Sequence, residues 1–267
     1  MAATSLGAVL KPQKLLGNTY SRRWLRVQRV SGDVTTFTGQ TNRTRVGDYL
    51  TATGHGIITS SRSTAHLTID DGIASVSVAQ NTHMTIQQLS VLGDGARITV
   101  LDVSQGQARF QVRRFTNPNS RLELRTPSGV AAVRGTVFGI SVNQQGQTNV
   151  AALEGQVEAG GQGVRVPVNA NQVSIVYPGA APTQTREVDR ELDIQWQGYE
   201  WSNEAFYMAG YTDAANLLWV NDQEVSVNRA GYFEQSIPFD RQRRLVSITV
   251  QNPLGETRTH KAFPRGE

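Results

Sequence analysis

The 267-residue sequence contains no cysteine. Disulfides therefore contribute nothing to its fold, and a thiol nucleophile or thiolate metal site is excluded. Lysine is almost missing as well. It occurs only at positions 11, 14 and 261, and arginine supplies the remaining 23 of the 26 basic residues. Long apolar runs are lacking too: the longest, Ala205–Ala209, falls far short of the roughly 20 residues that a membrane-crossing helix needs. Residues 1–20 hold no secretory h-region, because Ala8-Val9-Leu10 is too short, so no export signal is expected within the chain as written. Only 38% of residues are hydrophobic and 18% charged.

What is present is Val, Thr, Gln, Asn and Gly, a mixture that favours twisted sheets and tight turns over long helices. From Trp24 to Tyr177 short strand signals recur every eight to twelve residues. They are punctuated by turns such as Ser31-Gly32-Asp33, Gly47-Asp48, Asp70-Asp71-Gly72 and Gly93-Asp94-Gly95. Gly also sits between two extended segments in Val30–Val34, Ser104–Ala108 and Leu153–Val157, an irregular echo that suggests one corner used three times. The expected fold class is all-β. The length allows two modest cores. The expected organisation is a flexible arm over residues 1–23, a long β domain over 24–178, a linker over 179–190 and a small β-sandwich over 191–267. The boundary rests on YPGAAPTQTR (Tyr177–Arg186), with its two prolines and a glycine.

The stretch RLELRTPSGVAAVRGTVFGISV (Arg121–Val142) reads as two strands around a Gly-rich bend. Leu122 and Leu124 alternate with polar neighbours, and Thr126-Pro127 ends a strand because Pro lacks a ladder donor. Arg134, between Val133 and Gly135, is expected to turn partly inward, where a guanidinium needs an acceptor. Glu154 is the acid placed to supply it; the alternative is that backbone carbonyls cap Arg134 while Glu154 faces water. TPSGVAAVRGTVF together with TNVAALEGQVEA (Thr148–Ala159) resembles the FecR domain, an extracytoplasmic all-β module. Gly54-His55, Ile57 and Thr59, the alternating Ser63, Ala65 and Leu67, and the Asp71-Gly72 turn extend the resemblance, which covers roughly residues 27–176. The motif residues that carry it include Thr126, Pro127, Arg134, Gly135, Thr136, Glu154 and Gly155. His55 stands where the family has an acid, and Asn171 where it has a glycine, so Asn171 is expected in a left-handed conformation. The resemblance implies a wound β domain, solenoid or sandwich-like, in the periplasm or outside the cell. Regulators of this family relay occupancy of an outer-membrane transporter to a sigma factor.

Beyond the boundary, Trp196, Trp201, Trp219 and most of the tyrosines are concentrated. Val220-Asn221 and Gly231-Tyr232-Phe233, with the alternating strand at Leu245–Val250, resemble bacterial immunoglobulin-like modules of exported proteins. The resemblance implies a small sandwich, with an edge strand or linker at Leu192–Trp196.

Candidate chemistry is sparse. Histidines at 55, 66, 83 and 260 show no metal-ligand spacing, although His66 and His83 are both on strand patterns and could share a face. No Gly-x-Ser-x-Gly elbow or assignable Ser, His and acid set exists. Asp70-Asp71-Gly72 reads as a type I′ hairpin turn. No catalytic, cofactor or metal residues are therefore expected, and the chain is expected to be no enzyme. Arg22, Arg23 and Arg26 flank Trp24, and Arg241, Arg243 and Arg244 form a second cluster. Both are candidate contacts for an anionic partner, but solvated strand ends and edge-protecting charge are the expected account of them. The expected partner is a protein or envelope glycan rather than nucleic acid, since only Trp24 offers an aromatic beside the charge. Oligomerisation is left open. The leading expectation is a non-catalytic envelope recognition or assembly protein. The alternative is the sensing half of a FecR-type signalling system.

Overall fold

The structure, a computed structural model, describes residues 23–202, 205–238 and 245–262. Arg22, Arg241, Arg243 and Arg244 lie outside the described residues, as do residues 1–21 of the expected arm. The described chain is all-β, without a helix. None of its elements is a helix long and apolar enough to cross a membrane.

Two facing sheets enclose the first core. One contains Leu25–Ser31, Thr64–Ile69, Ala74–Val78, the second half of Arg97–Val112, Val137–Val142, Thr148–Glu154, Gln172–Val176 and Arg186–Glu187, in that spatial order. The opposite sheet runs from Val34–Phe37 through Gly56–Thr59, Thr82–Val91, the first half of Arg97–Val112, Arg121–Arg125, Val130–Val133 and Gln156–Gly161 to Val164–Asn169. Chain order advances along both sheets, so the polypeptide winds between them from one end of the sandwich to the other. The family resemblance implied a wound fold of this kind. Period-two burial is the cause. In Thr64–Ile69 the residues Ala65, Leu67 and Ile69 face inward, while Thr64, His66 and Thr68 face out. Inward residues of both sheets form one cluster that includes Leu25, Leu67, Phe110 and Phe138, with the last two rings stacked at 5.2 Å.

Arg97–Val112 joins the sheets by crossing from one to the other. Its kink is at Gly106 (φ 87°), where a Cβ would lie 2.4 Å from the Thr82 backbone. A glycine is required both for the dihedral and for the close approach.

The later strands make a smaller two-sheet sandwich. Gln195–Trp201, Ala205–Tyr211 and Tyr232–Pro238 form one sheet; Gln223–Val225, Leu217–Val220, Val246–Gln251 and Thr257–Ala262 form the other. Phe206, Met208, Leu218, Phe233, Ile248 and Val250 fill the space between them. The edge strand expected at Leu192–Trp196 begins at Gln195. The segment expected as a linker is not a free tether. Arg186–Glu187 pairs with Gln172–Val173, and Val188 is buried with Ala151, Val173, Ile175, Ala215 and Leu254 in a small third cluster where the two sandwiches meet.

Candidate functional site

Arg121–Val142 forms three strands rather than two: Arg121–Arg125 and Val130–Val133 make a hairpin, and Val137–Val142 passes to the opposite sheet. The Arg134-Gly135-Thr136 corner is that passage. Gly135 takes φ 146°, with the Arg114 backbone 2.4 Å from where a Cβ would sit. The Leu153-Glu154-Gly155 corner lies directly against it. The two motifs meet through Thr136, whose hydroxyl donates to the Glu154 carbonyl, and Gly155 leaves room for that hydroxyl. The expected Arg134–Glu154 ion pair is not formed. Both side chains face solvent, and Arg134 contributes its carbonyl, which accepts from the Phe115 N–H at 2.9 Å. A threonine is short enough to reach a carbonyl across two glycine corners; the Arg134 guanidinium turns outward, where water solvates it.

Thr126 behaves as a strand terminator. Its hydroxyl accepts from the Gly129 N–H at 3.0 Å and donates to the Gly129 carbonyl at 2.9 Å, closing the turn around Pro127. Asn171 is left-handed (φ 64°), as expected for a residue at the family's glycine position. Its side-chain oxygen accepts from Arg190 at 2.9 Å. His55 uses Nδ1 to accept the Thr51 N–H at 3.2 Å, and so builds its own corner.

The arginine expectations divide. Arg26 is exposed and lies over the Tyr49 ring at 5.6 Å. Arg23 is not a partner contact: it is buried and ion-paired to Asp70 at 2.9 Å, with further bonds to the Ile98 carbonyl (2.7 Å) and Thr99 hydroxyl (2.8 Å). Burial pulls its guanidinium below the ordinary arginine value, with Asp70 acting against that pull. Asp70 also takes Arg97 at 3.0 Å and the Trp24 N–H at 3.1 Å. The 70–73 turn is wider than type I′: φ is positive at Asp70 and Gly72, not at adjacent positions. Asp70 at the start of this turn points inward to Arg23. His66 and His83 do not share a face, since they stand on different sheets.

Sequence reasoning missed the joint between the two sandwiches. Gly139 sits mid-strand in Val137–Val142, and a Cβ there would lie 1.9 Å from the Pro253 carbonyl oxygen. The 252–255 turn of the second sandwich thus lies directly on the first sandwich's sheet. Around this contact, Gln107 donates to the Asn252 carbonyl at 2.9 Å and Gln147 to the Ala214 carbonyl at 2.7 Å. Arg186 and Asp213 make a bidentate pair that raises the arginine's affinity for its proton, and Arg229 lies over Tyr177 at 4.4 Å. On another side Arg62 reaches Asp222 at 3.4 Å, and the Gln144 N–H donates to Glu224 at 3.0 Å. Burial raises the Glu224 carboxyl above its usual range, opposed by that hydrogen bond. The joint has a small apolar centre inside a polar rim, the composition of an interface able to rearrange. The available signal was the lone glycine within VFGISV, because a glycine inside a strand marks a close backbone approach.

No curated protein matches the sequence. Two crystal structures of a "putative anti-sigma factor" from Parabacteroides distasonis ATCC 8503 are each 20% identical over 49% of this chain, with TM-scores of 0.42 and 0.41. The chain covers 59% of the length of each. A polysaccharide lyase aligns over 90% of this chain and 39% of its own, at 8% identity and a TM-score of 0.21. The family model described as FecR protein matches residues 55–158. That range includes the Arg-Gly-Thr and Leu-Glu-Gly corners joined through Thr136, and the chain carries a FecR domain there.

Proposed function

We propose that this chain is the sensing half of a FecR-type signalling system, acting by recognition rather than catalysis on the extracytoplasmic side of a bacterial membrane. The observation that carries the reading is the FecR domain at residues 55–158. The joint supports it: a sensor must pass a binding event from one unit to another, and a polar contact centred on one glycine and one turn is a place where that can happen. We assign residues 24–178 to the FecR-like unit. Residues 191–267 form a second, immunoglobulin-like unit. Support for the latter is its strand order, three strands facing four, the four running Gln223–Val225, Leu217–Val220, Val246–Gln251, Thr257–Ala262. The exposed Arg26 on Leu25–Ser31 and the exposed Arg134 corner are offered to a protein partner in the envelope. Envelope assembly without signalling would use the same surfaces but would leave transcription untouched.

The test is a transcript profile of cells with the gene deleted and restored. The reading expects a compact set of genes under one alternative sigma factor to shift on deletion and return on restoration. An unchanged profile, or turnover of an envelope polymer by the purified protein, would overturn it.

A further inference from the structure

The outer face of the first sandwich's sheet that begins with Leu25–Ser31 carries a straight row of polar side chains that no motif accounts for. Register places Arg29 beside His66, His66 beside Ser77, and Ser77 beside Arg109. The row continues to Gly139, where the second sandwich's turn is seated. Gln251, Leu254 and Gly255 of the second sandwich stand over the end of the row and convert an open sheet face into a cleft of about 710 Å³.

The chemistry of this cleft is one-sided. Arg29, Arg109 and His66 line it, and no carboxylate does. Among the described residues neither guanidinium makes a hydrogen bond or ion pair, unlike those of Arg23, Arg125, Arg165, Arg186, Arg190 and Arg258, which all have acidic partners. Two exposed guanidiniums three strands apart, roughly 14 Å at the usual strand spacing, suit an elongated ligand with more than one anionic group. Between them Ser77 bonds His66 at 3.1 Å. Behind the row, Gln107 is 2% exposed and spends its amide N–H on the Asn252 carbonyl, while its Oε1 has no partner. A buried acceptor needs a donor. Ionised phosphate or carboxylate alone has none to give, but a hydroxyl does.

We propose that this cleft binds an acidic oligosaccharide, its carboxylates held by Arg29 and Arg109 and its hydroxyls by Gln107, Ser77 and Gln251. An extended acidic peptide fits less well. The row crosses the face of the sheet from strand to strand, and only Leu25–Ser31 at its end stands at a sheet edge, so a peptide added along that edge would not fill the cleft. The inference stands on the cleft's geometry and does not depend on the signalling reading.

The experiment is calorimetric titration of the whole chain with trigalacturonate, its methyl ester and hexaglutamate. Trigalacturonate binds, and binding weakens as salt rises because the charges are exposed. Arg29→Gln and Arg109→Gln each weaken it about tenfold or more, the usual scale for losing a charge-assisted hydrogen bond. Ser77→Glu, which sets a like charge in mid-row, abolishes it. All three positions face outward, so thermal unfolding of the variants should match the parent. The ester and the peptide bind at least tenfold more weakly. No binding of trigalacturonate, equal binding of the ester or the peptide, or variants that bind as the parent does would each overturn the proposal.

Discussion

Gly139→Ala is the sharpest perturbation of the joint. The added methyl would lie 1.9 Å from the Pro253 carbonyl oxygen and 3.1 Å from the Leu254 Cα. Both are backbone atoms that no rotamer change can move, so the 252–255 turn must lift. Lifting it uncovers Leu254, now 1% exposed, and breaks the Gln107–Asn252 bond. A buried leucine is worth roughly 1.5–3 kcal/mol and a hydrogen bond about 1, so an opened joint loses on the order of 3 kcal/mol of coupling. The first sandwich keeps its core, because Gly139 faces outward and its ladder partners Arg109 and Ala151 are unaffected in register. Tryptophan reports this cleanly: Trp196, Trp201 and Trp219 belong to the second sandwich and Trp24 to the first. Thermal unfolding followed by tryptophan fluorescence and by calorimetry should show the second sandwich melting earlier in the variant than in the parent. Radius of gyration in solution should rise as the units separate. An unchanged melting profile with an unchanged radius would refute the reasoning.

Asp70→Ala leaves the Arg23 guanidinium buried without its counter-charge and should cost about 3–5 kcal/mol in chemical denaturation. The Arg23→Met, Asp70→Leu pair should recover a large part of it, and additive losses would show that the two do not act together. Asn171→Val forces a β-branched residue to φ 64° and should cost about 1–2 kcal/mol. Asn171→Gly should stay within a fraction of that, and equal losses would mean the Arg190 bond matters rather than the dihedral. Glu224 has a folded pKa raised by burial, so the folded state binds its proton more tightly than the unfolded state does. Its contribution to stability is therefore greatest at acid pH and is lost as pH rises through the folded pKa. Glu224→Gln should stabilise the chain at pH 7 and show no advantage near pH 4. A gain independent of pH would contradict this.

Turn chemistry and period two made the sheets legible in the sequence. Asn171 was readable because so few side chains accept its dihedral. Thr136 was not, since nothing in VRGTVF tells which of Arg134 and Thr136 crosses to the next corner; the contact with the Glu154 carbonyl appears only in the fold. Arg23 looked like surface charge in RRWLR. Its partner Asp70 is 47 residues away, and only strand register brings them together. The cleft was illegible for the same reason. Arg29, His66, Ser77 and Arg109 are unremarkable singly and become a row through three strand pairings.

The central claim, that the chain senses for a sigma factor, is tested most directly by epistasis. The gene is deleted alone and together with the sigma factor whose regulon shifts, and transcripts are compared. The account predicts that the double deletion shows the sigma-factor deletion's profile and nothing more. A regulon that still shifts without that sigma factor would contradict it.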